Sequence, residues 1–267
     1  MSETWLMLAY IIGSALLVVN IAFLLASVLN FYSLIDIAWS YTLAIAGFIC
    51  IFQGAATHRH FLFLLMTSVW SLRLGSHLLF RITHQYPHED RRYKNLCATW
   101  KGNLKSKFFI FFQMQAFSFT VLGLPLAIVS GDRTRGIGVT EIAAFTLWFL
   151  AMGGEILADA QLKYFKANPS RKNLVCNVGL WRFSRHPNYF FEWLIWCSFA
   201  LYALPSSFGF LALLAPALIF YLLVFVTGIP PNEEQAFISR GEVYRKYQRQ
   251  TNRFLPWFPK KEASYVG

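Results

Sequence analysis

Residues 5–28 carry no charged side chain, and a helix of that length reaches across the hydrocarbon core of a bilayer, which takes about 20 apolar residues. Comparable apolar runs follow at 34–53, 60–80, 108–130 and 139–159. Two more, 189–204 and 208–228, are separated only by Pro205-Ser206-Ser207. Soluble domains carry roughly a quarter charged residues; this chain of 267 residues carries 14% and is 56% hydrophobic. The pattern predicts an all-α fold. It is a single membrane domain over 1–267, a polytopic helical bundle of about seven transmembrane helices, with 229–267 as a tail. The first run follows Met1-Ser2-Glu3-Thr4, with no basic segment ahead of it, and so reads as a span, not as a cleavable signal.

Seven spans put the termini on opposite sides, and the basic residues then sort by side. Residues 81–107, 161–188 and the tail hold all but four of the 24 Lys and Arg; the exceptions are Arg59, Arg73, Arg133 and Arg135. Basic loops face the cytoplasm, which puts the N-terminus outside and the C-terminus in the cytoplasm. The same sorting accounts for the formal charge of +11 without nucleic acid, which would need a basic groove on a soluble module. Cys50, Cys97, Cys176 and Cys197 form neither a CxxC pair nor a Cys/His pattern, so the thiols read as free and no metal site is expected.

In this orientation four helices bring ionisable residues to one depth. Asp36 lies near the inner end of the second span. Trp70, Arg73, His77 and Arg81 keep to one face of the third. Glu155, Asp159, Lys163 and Lys166 form a stripe closing the fifth, and Gln113 and Gln115 lie at the same end of the fourth. The sixth opens with Pro187, whose missing N–H does no harm in a first turn, and Asn188 and Glu192 share a face four residues apart. Arg182, Arg185 and His186 stand just ahead, suited to gripping phosphate. Each feature also has an ordinary reading. Asp36 can cap a helix, Arg73 and Arg81 can snorkel, and His77 can be a satisfied core histidine. Asp159 with Lys163 can be an i,i+4 pair, and the basic stretch before Asn188 a positive-inside anchor. Together they point to a polar cavity open to the cytoplasm, because charge within a membrane faces a cavity or a partner. The opposite half of the bundle is expected to hold almost no charge. A cytoplasmic cofactor meeting a lipid substrate fits such a cavity better than a transporter, which would have a midplane site and internal repeats. Pro230-Pro231 is expected to end the last span. Residues 240–247 read as a short amphipathic helix with Tyr244 and Tyr247 on one face, either resting at the interface or closing the cavity.

At these residues the sequence resembles the steroid 5-alpha-reductase family in its broad sense, and within it a bacterial branch of uncharacterised membrane proteins. The resemblance covers most of the chain and is strongest over 73–93, with Glu89-Asp90-Arg91-Arg92-Tyr93, and over 155–193 and 233–256. The C-terminal half is also similar to the sterol C14- and C7-reductases. Those share a Trp, an Arg-His-Pro-Asn-Tyr segment, an acid four residues after the Asn, and an acidic pair before a Tyr-rich tail. The matching residues here are Trp181, Arg185 to Tyr189, Glu192, Glu233-Glu234, Gly241 and Tyr247.

The resemblance implies NADPH bound by the C-terminal half, with Asp159, Lys166, Asn188 and Glu192 as contacts. Lys163, Arg171, Trp181, Arg185, His186, Tyr189, Glu233 and Tyr247 would stand around them. It also implies reduction of a carbon–carbon double bond conjugated to a carbonyl in a hydrophobic small-molecule substrate. A hydrogen-bond donor then has to stabilise the developing enolate. Steroid reductases use a Gln-Glu pair on the second span and a Tyr on the third; here Asp36 is the acid of the second span and Trp70 stands near the place of the Tyr. Asp36, Arg73 and His77 are therefore assigned to catalysis. The family branch implies a multi-pass protein of the bacterial inner membrane, with lipid bilayer around it and no obligate protein partner. An S-adenosylmethionine-dependent methyltransferase of the isoprenylcysteine or phospholipid type is the alternative, since those enzymes pair Arg-His-Pro-x-Tyr with a later Glu-Glu. A non-enzymatic lipid-binding or assembly role is a third reading.

Overall fold

The computed structural model describes residues 2–53, 56–171 and 173–260, so the tail beyond 260 lies outside the described residues. The helices are α1 (Ser2–Leu29), α2 (Leu34–Ile51), α3 (His58–Gln85), α4 (Arg91–Thr99), α5 (Leu104–Leu122), α6 (Leu124–Gly131), α7 (Val139–Ala167), α8 (Pro187–Ala203), α9 (Leu214–Tyr221), α10 (Ile229–Arg240) and α11 (Glu242–Gln250). Short 3₁₀ turns occupy Pro169–Arg171, Gly179–Arg182 and Gly209–Leu213, and a π-helical segment spans Leu222–Val226. No strand occurs among the described residues; Ser184 and Asn252 form an isolated parallel bridge. The chain divides into two compact units, Met1–Ile142 with Phe199–Ala215, and Ala143–Ser198 with Pro216–Gly267.

Among the described residues, five helices are long and apolar enough to cross a membrane: Glu3–Leu29, Leu34–Ile51, His58–Gln85, Val139–Ala167 and the composite Gly209–Arg240. The pair α5 and α6, bent by 44°, makes a sixth if it is one span. Pro125 in the first turn of α6 has no N–H to return to the preceding turn, so the ladder breaks at Gly123 and the axis turns. The sequence suggests about seven spans; α8, with 17 residues, is not among these five or six.

In the first unit α2 packs on α1 and α3, and α1 also meets α5 and α6. Tyr41 of α2 lays its ring on Gly75 of α3, where a Cβ would collide with it. Trp70 is fully buried, with edge contacts to Trp39 and Phe199. Its indole is therefore core, which accounts for its place on the inward face of α3. Leu17, Ile21, Leu24, Leu25 and Val28 of α1 are exposed, a stripe that lipid would cover.

The far end of this unit, contrary to the expectation from sequence, holds a buried charge cluster. Arg59, at the start of α3, is 0% exposed. It donates to Glu141 at 2.9 Å, to the Ser206 hydroxyl at 2.8 Å and to the Tyr202 carbonyl at 3.2 Å, with Asp132 at 3.8 Å. The Tyr202 hydroxyl returns a bond to the Arg59 carbonyl at 2.8 Å. Single basic residues in apolar flanks read as topology signals; the acids that pair with Arg59 are more than 70 positions downstream, and no local pattern joins them.

A second correction concerns Pro230 and Pro231. The helical run deviates at the π segment, where Thr227 N–H reaches back to the Leu222 carbonyl at 2.7 Å, and it breaks at Gly228. The prolines then sit in the first turn of α10, where a missing N–H is harmless. They start a helix here and do not end one.

Candidate functional site

The chemistry-bearing residues of the first unit gather where α2 begins and α3 ends. Glu89, in the loop between α3 and α4, accepts from the backbone N–H of Tyr32 at 2.5 Å and of Ser33 at 3.2 Å, and from the Ser33 hydroxyl. It thereby satisfies donors that α2 leaves open at its N-terminus. Asp36, in the first turn of α2, accepts from Arg92 at 2.5 Å and from the Tyr93 hydroxyl at 2.7 Å, with Arg81 at 3.8 Å. Asp90 caps α4 through Arg92 N–H at 2.9 Å and pairs with the Arg92 side chain at 3.2 Å. Burial alone would raise the Asp90 carboxyl, but the charge and hydrogen bonds of Arg92 outweigh it and hold it below the usual range. Burial and the Asp36 carboxylate push the Tyr93 phenol well above its ordinary value, so it stays a donor. Arg73 is half-buried and His77 exposed, two turns and one turn before Arg81 on α3.

In the second unit the segment from Gly179 to Tyr189 is fastened between α7 and the tail. Gly179 has φ +56°, and its α-carbon lies so close to the Gln161 amide that a Cβ would clash. That amide accepts from Leu180 N–H at 2.9 Å. The Trp181 indole donates to the Ala158 carbonyl at 2.9 Å, and the Trp181 carbonyl accepts from the Tyr247 hydroxyl of α11, which also reaches the Ser184 carbonyl at 3.3 Å. Ser184 donates to the Phe254 carbonyl at 2.7 Å and accepts His186 N–H at 3.1 Å.

Arg185 is the centre of this clasp. Its Nε donates to Glu233 at 2.6 Å and its terminal nitrogen to the carbonyls of Thr251 and Gln248 at 2.7 and 3.1 Å. The same Glu233 oxygen lies 3.3 Å from His186 Nε2, and Gln248 donates to its other oxygen at 3.3 Å. His186 stacks parallel on Tyr189, whose hydroxyl accepts from Asn232 at 2.6 Å. Burial pushes the His186 imidazole down, with the Glu233 hydrogen bond opposing. The tail is thus bolted to the segment.

Beyond the clasp, Asn188 in the first turn of α8 donates to Asp159 of α7 at 3.3 Å. Glu192, one turn further along α8, is buried and accepts from Trp196 at 2.9 Å. Lys163 and Lys166 continue the α7 stripe past Asp159 and are exposed, as is Arg182. Arg171 lies over the Phe165 ring at 5.4 Å.

A family model described as a protein of unknown function, DUF1295, matches residues 22–251. The chain belongs to the DUF1295 family. Among curated proteins, this DUF1295 chain is similar to an uncharacterised protein of Schizosaccharomyces pombe, 27% identical over 224 residues. The match covers 75% of the chain, which spans 64% of the length of the yeast protein. No solved structure matches.

Of the residues singled out in sequence, Asp159 and Asn188 are in contact, and Arg185, His186 and Glu233 share one carboxylate oxygen. Trp181 and Tyr247 join through a carbonyl. Asp36, Arg73 and His77 belong to the first unit and the remaining candidates to the second. Sequence reasoning missed that Arg92 and Tyr93 bond Asp36, and that Glu89 caps α2. The Glu89-Asp90-Arg91-Arg92-Tyr93 string marked the segment as charged but pointed to neither contact.

Proposed function

We infer that this DUF1295 protein is a membrane-embedded, NADPH-dependent reductase of a carbon–carbon double bond in a lipid, sterol-like or enoyl substrate, of the broad steroid 5-alpha-reductase superfamily. The observation carrying this reading is the Asp159–Asn188 pair, with exposed Lys163 one turn further along α7 and the hydrogen-bonded Arg185-His186 segment directly ahead of Asn188 in the chain. A phosphorylated dinucleotide needs cations for its phosphates and carboxylate or amide groups for its hydroxyls and amide. Lys163, Lys166, Arg171 and Arg182 fit the first requirement, and Asp159, Asn188 and Glu192 the second. Bound there, the nicotinamide would supply a hydride. Arg185, His186, Trp181, Glu233 and Tyr247 position the segment that carries Asn188. In the first unit, Asp36 with both oxygens engaged is an acceptor that orients its neighbours, and Arg73 and His77 are the donors for a developing oxyanion. The basic loops and tail orient the chain with its N-terminus outside and this chemistry at the cytoplasmic face of an inner membrane.

Thermal stability of the purified chain with NADPH or S-adenosylmethionine tests the reading by ligand linkage, a ligand at 100 times its Kd adding about 2.7 kcal/mol. NADPH stabilises the wild type, and Asn188→Ala and Asp159→Asn lose that shift while remaining folded. A shift with S-adenosylmethionine alone would instead support a methyltransferase. The observation favouring that second reading is that Glu233 holds Arg185 and His186 together, the two motif elements those enzymes share. Silence with both ligands would fit a lipid-binding or assembly role.

A further inference from the structure

A groove of about 460 Å³ opens on the first unit between the C-terminal end of α1 and the N-terminal end of α5. Its walls are Phe23 and Leu24 from α1 and Phe109 and Ile110 from α5, while Lys105 and Ser106 line it where α5 begins. That volume falls in the range of small-molecule sites, roughly 300–1,000 Å³, but the walls lie on two apolar helices, whose exposed side chains face acyl chains in a membrane. Phe23 is braced edge-on by Phe109 and Phe112 at 5.3 and 5.4 Å. One turn deeper, Gln113 donates to Asn20 at 3.2 Å and ties the two helices together. The groove is therefore a built feature of a pinned helix pair.

The charges at its open end are unusual for a helix start. The first turn of α5 holds Lys105 and Lys107 and no acid, with Lys101 just ahead. A helix N-terminus carries partial positive charge and favours anions, so these lysines add to a field that already repels cations. A bound anion offsets all of it at once. An apolar trough below and an unbalanced cationic rim above is the chemistry of an anionic phospholipid.

We propose that the α1–α5 groove binds one anionic phospholipid, with an acyl chain against Phe23, Leu24, Phe109 and Ile110 and its phosphate at Lys105 and the N-terminus of α5. This stands independently of the reductase reading and survives its failure. Native mass spectrometry of the full chain in neutral detergent tests it, with phosphatidylglycerol, phosphatidylcholine of the same chains, and inorganic phosphate as probes. The wild type retains phosphatidylglycerol at least tenfold over phosphatidylcholine, and inorganic phosphate does not displace it. Lys105→Glu, at an exposed position, erases the preference, and Ile110→Trp lowers retention of both lipids by filling the trough. Equal retention of the two lipids by the wild type overturns the proposal. So does an undiminished preference in Lys105→Glu, displacement by free phosphate, or undiminished retention of both lipids in Ile110→Trp.

Discussion

Truncating Arg185 to alanine should release the tail while leaving the rest of the chain folded. The arginine and its partner Glu233 are 10% and 14% exposed, so their pair is largely sheltered from water. Removing one partner of a buried pair costs about 3–5 kcal/mol, because the other charge is left uncompensated. In Arg185→Ala, Glu233 keeps His186 and Gln248, while the carbonyls of Gln248 and Thr251 lose a donor. These retained bonds set the expected cost at the lower end, about 3 kcal/mol. Tail opening should then rise by on the order of a hundredfold, since 1.4 kcal/mol is a factor of ten. Hydrogen exchange read by peptide measures it directly: amides of α11 and of 251–258 speed up, and those of α2 do not. Arg245→Ala is the control, because its pair with Glu242 is exposed on both sides and surface pairs contribute about 0–1 kcal/mol. Unchanged α11 exchange in Arg185→Ala, or equal loosening of every helix, would refute the clasp.

Two further outcomes are expected. Burial holds His186 below the ordinary imidazole value of about 6.5, so the folded chain keeps it neutral while the unfolded chain protonates first. The corresponding stability is intact above about pH 6.5 and is lost as pH falls below it; urea titrations between pH 5 and 8 should show this slope, and His186→Gln should flatten it. Asp36→Asn weakens the hydrogen bonds from Arg92 and Tyr93, each worth about 1.5–3 kcal/mol when an ionised group takes part. It should lower the unfolding midpoint, and on the proposed reductase reading it should also abolish turnover while leaving NADPH affinity unchanged. On that reading, lost cofactor affinity would mean that Asp36 belongs to the cofactor site.

How much of this was readable in advance depended on the range of the interaction. The apolar runs set the helices, and the i,i+4 spacing of Asn188 and Glu192 put them on one face, because both signals are local. The depth argument brought Asp159 and Asn188 to the same end of the bundle and the resemblance made both cofactor contacts, but neither foresaw their contact with each other, since 29 positions separate the pair. Glu89 gave no local sign that it caps a helix starting more than 50 residues earlier, as its string reads simply as a charged loop. Pro230 and Pro231 misled for a different reason. Proline marks a discontinuity in a helix but does not say on which side of it the next turn lies; Gly228 decided that.

The clasp also explains why a motif can be specific for a fold yet ambiguous for a reaction. Read as sequence, Arg185 and His186 look like ligand-binding groups. In the fold, Arg185 is taken up by Glu233 and two tail carbonyls, and His186 by Glu233 and the Tyr189 ring. Their geometry would serve any chain that has to hold α8 against its own tail, whether its ligand is a dinucleotide or a methyl donor. Discrimination must therefore come from groups the clasp leaves available. Here those are the Asp159–Asn188 pair and the exposed Lys163, Lys166 and Arg182. A ligand carrying several phosphates gains from every one of these cations, whereas a donor without phosphate gains little. Neutralising Lys163 and Lys166 is thus a sharper discriminator between the two chemistries than any substitution within the Arg-His-Pro segment itself.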